Sequence, residues 1–307
     1  MRKQCNRDLF ASWCALTAAG YDLAEPTGVT AELLEGIHTL PLDAQICAWF
    51  GRARTDNIRV NPWFPRASAL SAGCFFPERA LGSFLTFLRS TGTMDVDDAF
   101  VDWIAPYRAY IEAVKQSKGF AELWNRYREE MFNAQDEAVL KELEAKLLSF
   151  GYTIKEVVIF VPNGLQSPYL ADYVLVGRQL FVICAMLNPL GIVHEYLHRA
   201  LPEFQSTWLR IANTVETALL VNIEKMKAYG YILDDSPQST AHALEDCFVR
   251  AVSALIVGGD LKAYAYNCQK DGFVFASALI EEAAFSAPQK DNLLPLVRRT
   301  INRLQIR

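Results

Sequence analysis

The sequence predicts an α+β fold that is mostly α. It has a helical N-terminal half, then a small sheet, then a helix carrying a histidine motif and further C-terminal helices. Three observations predict it. Apolar residues recur at three-four spacing through much of residues 1–150. At Gly151 the pattern switches to short runs rich in β-branched residues. From Asn188 onward, helix start and stop signals return. The chain is therefore divided at 150/151 into a helical region, 1–150, and a second region, 151–307, that carries the chemistry.

Taken in order, Leu9, Trp13, Leu16 and Gly20 fall at helical spacing and predict an amphipathic first helix. Arg2 and Lys3 before an apolar segment resemble a weak signal sequence. Asp8 at its start and the lack of a clean A-x-A site favour a mature helix. Short helical pieces are expected at 32–35 and 43–49, around Pro41. Three prolines between residues 55 and 77 predict a long loop. Phe84, Phe87 and Leu88 suggest the next helix. Residues 95–118 place Phe100, Trp103, Ile104, Tyr107, Ile111 and Val114 on one stripe, with Gly119 as the C-terminal cap and Pro106 expected to kink or split the run. Residues 120–150 read as one longer helical run.

Residues 156–161 form an unbroken apolar run suited to a buried strand, followed by an Asn163-Gly164 turn. Segments 173–176 and 179–183 are strand-like, and the Gly177-Arg178 link between them fits a type II′ hairpin. A small antiparallel sheet is the expectation. After Pro202 the chain returns to helix at 203–229 and 240–257.

Composition narrows the partners. The 307 residues carry a formal net charge of −5, and no dense basic block occurs, which argues against nucleic acid. No apolar run has the length needed for membrane insertion. Seven cysteines without a C-x-x-C pair read as reduced core thiols, and so as a cytoplasmic protein.

The most informative stretch is NPLGIVHEYLHRALP, residues 188–202. Asn188 is a good N-cap, Pro189 suits the first helical position and Pro202 stops the run. Leu190, Val193, Leu197 and Leu201 make an apolar face. His194 and His198, four apart, share a side beside that face, with Gly191 one turn earlier to let a strand or substrate come close. Two imidazoles so placed can grip one zinc ion, with Glu195 beside them to handle protons.

Strands, then a helix bearing H-E-x-x-H, then more helices: this order resembles the zincin metallopeptidases. The resemblance implies a sheet-edge strand, here residues 178–186, that holds an extended peptide by adding it as a further strand. The metzincin continuation is absent, since Arg199, Ala200 and Leu201 follow His198. The resemblance is therefore gluzincin-like, which implies a third metal ligand from a glutamate on a later helix. The segment LEDCFVRA, residues 244–251, is similar to a helix in a family of uncharacterised bacterial gluzincin-like proteins.

Three acids compete for that place. Glu216 flanks the stripe of Trp208, Ile211, Val215, Leu219 and Met226, where a glutamate is usually solvated. Glu245 falls within the arc of Val249, Val252 and Ile256, where an unpaired carboxylate is costly and a metal removes the cost. Asp246 projects away from that arc, toward Ser253 and His242. Glu245 is the expected ligand, with Glu216 and Asp246 as alternatives.

Nearby, His242 is a candidate oxyanion stabiliser, and Arg250 one to orient Asp246 or a substrate carboxylate. Tyr229, Tyr231, Tyr264 and Tyr266 each offer a phenol. His38 is isolated and has no assigned role. The function expected is zinc-dependent hydrolysis of peptide or amide bonds in a peptide or protein substrate, with Glu195 as general base. A catalytically inactive zincin-like scaffold and a non-peptidase zinc amidohydrolase are the alternatives.

Overall fold

Asn6 begins the first helix by accepting hydrogen bonds from the Asp8 and Leu9 amides, both at 2.9 Å, so two of the helix's orphan donors are satisfied at once. In this computed structural model the described residues are 1–18, 29–39, 71–76, 81–91, 98–166, 171–201, 204–228, 231–232, 234–284 and 289–306. The expectations for 43–49 and for most of 55–77, together with Pro202 and Tyr229, lie outside them.

In chain order the described elements are β1 (Arg2–Lys3), α1 (Arg7–Ala18), α2 (Val29–His38), α3 (Leu81–Thr91), α4 (Asp98–Gln116), α5 (Phe120–Met131) and α6 (Asp136–Ser149). Strands β2 (Val157–Pro162), β3 (Ala171–Val176) and β4 (Gln179–Cys184) follow. Then come α7 (Pro189–Ala200), α8 (Gln205–Thr214), α9 (Thr217–Leu220), α10 (Ile223–Ala228), α11 (Pro237–Val257), α12 (Leu261–Asp271), α13 (Val274–Ala283) and α14 (Leu293–Ile306). The class is α+β and mostly α, with a small mixed sheet.

The chain divides into two compact units. The first comprises Met1–Ala138 and Glu156–Leu187, the second Val139–Lys155 and Asn188–Arg307. The strands thus group with the N-terminal helices, whereas a boundary at 150/151 would have grouped them with the motif helix.

In the first unit α1 is buried along Leu9, Phe10, Trp13, Cys14 and Leu16. Phe10 stacks on Tyr127 of α5 with ring centroids 4.3 Å apart. The Tyr127 hydroxyl in turn donates to the Pro162 carbonyl at 2.7 Å, tying α5 to the end of β2. Helix α4 is not split at Pro106, and Gly119 stands before α5 as its N-cap, with φ +91°. The run expected at 120–150 is two helices, because residues 132–135 leave the helical path. There the Asn133 side chain accepts from the Gln135 amide at 3.0 Å.

The sheet order is β1-β2-β4-β3. β1 and β2 are parallel, β2 and β4 are parallel, and only β3 and β4 are antiparallel. The antiparallel expectation holds for the hairpin alone. Its register pairs Val176 with Gln179, and Gly177 has φ +60° while among the described residues, Arg178 included, no non-glycine residue has positive φ, as a type II′ turn requires. The expectation of a substrate-holding edge at 178–186 is overturned. β4 is hydrogen-bonded on both sides, so its backbone has no free row of donors and acceptors.

In the second unit α11 is the central helix, against which α7, α8 and α13 pack. Phe248 of α11 meets Phe204 at 4.9 Å and Trp208 of α8 at 4.8 Å between centroids. Such aromatic contacts give large apolar burial with fixed geometry. The stretch expected to be helical at 203–229 is broken into α8, α9 and α10, while the one at 240–257 lies inside the longer α11. Among the described residues no helix is long and apolar enough to cross a membrane.

Candidate metal centre

The cap signals place α7 where they predict it. Asn188 is extended, its side chain accepts from the Gly191 amide at 3.1 Å, and Pro189 is the first helical residue. Ile192, Val193, Tyr196 and Leu197 are buried, which fixes the helix's rotation and leaves His194 and His198 partly exposed on one side. Helix α11 is set in the same way: the Ser236 hydroxyl caps the Ser239 amide at 3.2 Å, and Pro237 follows. Packing of α7 on α11 brings the two histidines to Glu245 and Asp246.

The polar contacts are specific. His194 Nε2 and His198 Nε2 lie 3.1 Å apart. Asp246 Oδ1 is 3.2 Å from His194 Nε2. Glu245 Oε1 is 3.2 Å from the other nitrogen of His198, Nδ1. The two adjacent acids therefore serve different atoms. With Nδ1–H donated to Glu245, the neutral His198 ring keeps its Nε2 lone pair turned toward His194 and Asp246.

His194, His198 and Asp246 offer donor atoms that all lie within 4.8 Å of one another. Zinc–nitrogen bonds of about 2.0–2.1 Å in a tetrahedral site put ligand atoms about 3.3 Å apart. Two of the three separations, 3.1 Å between the histidines and 3.2 Å from His194 to Asp246, match that spacing, and the third is within 4.8 Å. Two imidazole nitrogens and one carboxylate oxygen also suit zinc chemically. The residues present fit a metal ion.

Asp246, rather than Glu245, thus stands at the point where the histidines converge. The helical wheel put Glu245 inside the apolar arc and Asp246 outside it, yet Asp246 is the buried one and Glu245 only half-buried, because α11 is buried on nearly every side, from Ser239 to Ile256. Burial there does not mark one arc. Glu245 instead meets His198 at Nδ1, the position a carboxylate takes behind a metal-bound histidine. Glu216 is exposed at the N-cap of α9, and His242 is exposed on α11.

Electrostatics support a site that favours positive charge. Burial pulls His198 down, but its hydrogen bond to Glu245 and the charges of Glu195, Glu245 and Asp246 outweigh that and leave its pKa raised. Burial pushes the Asp246 carboxyl up, yet the Arg250 guanidinium and then the two histidines hold it well below the usual carboxylate range. Glu195 is buried on α7, and its charge acts on both His198 and Tyr231.

Behind Asp246, Arg250 Nε donates to Oδ2 at 2.5 Å and Arg250 Nη2 donates to the Tyr231 hydroxyl at 2.7 Å. Of the four tyrosines raised by sequence, Tyr231 makes this direct contact. Burial pushes its phenol up to about 12 against the opposing pull of Arg250. Tyr264 also interacts with Arg250, whereas Tyr266 is exposed. Phe273, whose ring lies against the Arg250 guanidinium, carried no signal in the sequence.

No family model, curated protein or solved structure matches this chain.

Proposed function

We propose that this protein is a zinc-dependent hydrolase of the H-E-x-x-H type, acting on peptide or amide bonds. The observation that carries the reading is the convergence of His194 Nε2, His198 Nε2 and Asp246 Oδ1, with the buried Glu195 on the same helix as the two histidines. His194, His198 and Asp246 would hold the ion. When bound, zinc supplies a Lewis acid that lowers the pKa of water toward neutrality and polarises the carbonyl under attack.

The rest belongs to the protein. Glu245 fixes the His198 ring by accepting from Nδ1–H. Asp246 is held at Oδ2 by Arg250, leaving Oδ1 to face the imidazoles. Glu195 takes a proton from the attacking water onto its carboxylate and returns it to the leaving amine, so no covalent acyl-enzyme forms. This role gives its carboxylate a reason to be buried where its charge acts on His198.

The test joins metal analysis of the purified protein with an unbiased peptide library. Bound zinc and cleaved peptides are expected from the wild type. Glu195→Gln should keep zinc and lose about 10²–10⁴-fold in turnover, the usual worth of a general base. His194→Ala should lose the metal. Unchanged hydrolysis by Glu195→Gln would remove the base assignment.

A further inference from the structure

Arg250 lies one helical turn after Asp246 on α11 and is committed to it. Besides its hydrogen bonds to Asp246 Oδ2 and Tyr231, its guanidinium carbon stands 4.0 Å from the Phe273 ring centroid and 5.6 Å from that of Tyr231. A planar cation held through two nitrogens and faced by two rings has little freedom to swing away from its carboxylate. The Asp246 oxygens are thereby divided: Oδ2 is taken by Arg250, and Oδ1 is left for the imidazoles.

Resting on the metal reading above, we infer that Arg250 is the resident counter-cation of Asp246: it keeps the carboxylate paired in the metal-free chain and competes with a metal ion for its charge. The Asp246 side chain is only 12% exposed. Stripping the partner from a buried ion pair leaves an uncompensated charge, which is strongly destabilising. A metal at Oδ1 and the guanidinium at Oδ2 are two cations on one carboxylate, so each weakens the other's hold. The coupling is reciprocal by linkage. Arg250 is in this sense a positioning residue that trades metal affinity for a fold that survives without metal. A residue that only oriented Asp246 would couple with the opposite sign, since zinc would gain from its presence.

The experiment uses the full chain, stripped of metal by chelator, and zinc chloride alone as the probe. Melting midpoints are measured with and without saturating zinc for wild type, Arg250→Gln, Arg250→Lys and Asp246→Ala, and zinc affinity by chelator competition. Without zinc, Arg250→Gln should melt below wild type. Zinc should then raise its midpoint by more than it raises the wild type's, with affinity tighter on the order of tenfold. Arg250→Lys keeps the cation, so its zinc increment should stay near the wild-type value. If Arg250→Gln does not fold without metal, it and the wild type are compared in a stabilising osmolyte, where a zinc increment larger than the wild type's carries the inference and an equal or smaller one overturns it.

An equal increment in wild type and Arg250→Gln overturns the inference, because Arg250 and the metal would then be uncoupled. A smaller increment overturns it too, leaving Arg250 as an orienting group alone. If zinc moves neither wild type nor Asp246→Ala, the metal reading itself fails and this inference falls with it.

Discussion

Glu245 and Asp246 are neighbours in sequence but differ in partner: one meets the far nitrogen of His198, the other meets His194 where the two rings converge. That division makes a prediction at the residue scale. Asp246→Ala should abolish zinc binding, whereas Glu245→Gln should weaken it by about 10–100-fold, the range seen when a carboxylate behind a ligating histidine is lost. Isothermal titration of both variants decides it. The reverse order would return the ligand role to Glu245. The H-E-x-x-H residues were legible because their spacing alone puts two imidazoles on one side of a helix. The Asp246–Arg250 pair was also legible as an i,i+4 contact. The choice between adjacent acids was not, since it depends on how α7 packs on a helix buried nearly all round.

At the scale of elements, legibility followed locality. The start of α7 comes from Asn188 and Pro189, and the β3–β4 hairpin from Gly177; both signals lie within a few residues of what they fix. The parallel pairing of β2 with β4 is set between segments separated by the whole of β3, and no local residue pattern encodes it. Two measurements probe the local devices. Asn188→Ala removes the acceptor for the Gly191 amide and should cost ~0.5–2 kcal/mol, read as a lower midpoint in denaturant. Gly272 ends α12 with φ +98°, and a Cβ there would lie 3.0 Å from Lys225 Cβ and 3.1 Å from Met226 Cε. At Gly177, with φ +60°, a Cβ would meet nothing within 4 Å. Gly177→Ala should therefore cost ~1–2 kcal/mol for the left-handed backbone alone. Gly272→Ala should cost more, because crowding adds ~1–3 kcal/mol to the same backbone term. Equal costs would mean that the α10 residues yield freely.

For the whole molecule, the useful fact is that every donor of the candidate centre lies in the unit formed by Val139–Lys155 and Asn188–Arg307. A ligand stabilises the state it binds: zinc held at ~1,000 times its dissociation constant adds ~4 kcal/mol to the free energy of opening that state. A chain of two units need not unfold in one step, so a single melting curve can blur where that energy goes. Amide hydrogen exchange resolves it, because protection reports the opening of each cooperative segment separately. Zinc should slow exchange most in α7 and α11, which carry His194, His198 and Asp246, and next in α8 and α13, which pack on α11. Asp246→Ala should erase the effect. Slowing of the same size in α1 and β2 would show that zinc acts somewhere other than these three side chains. Slowing confined to α7 and α11 and lost in Asp246→Ala would assign the binding energy to the contact between those two helices.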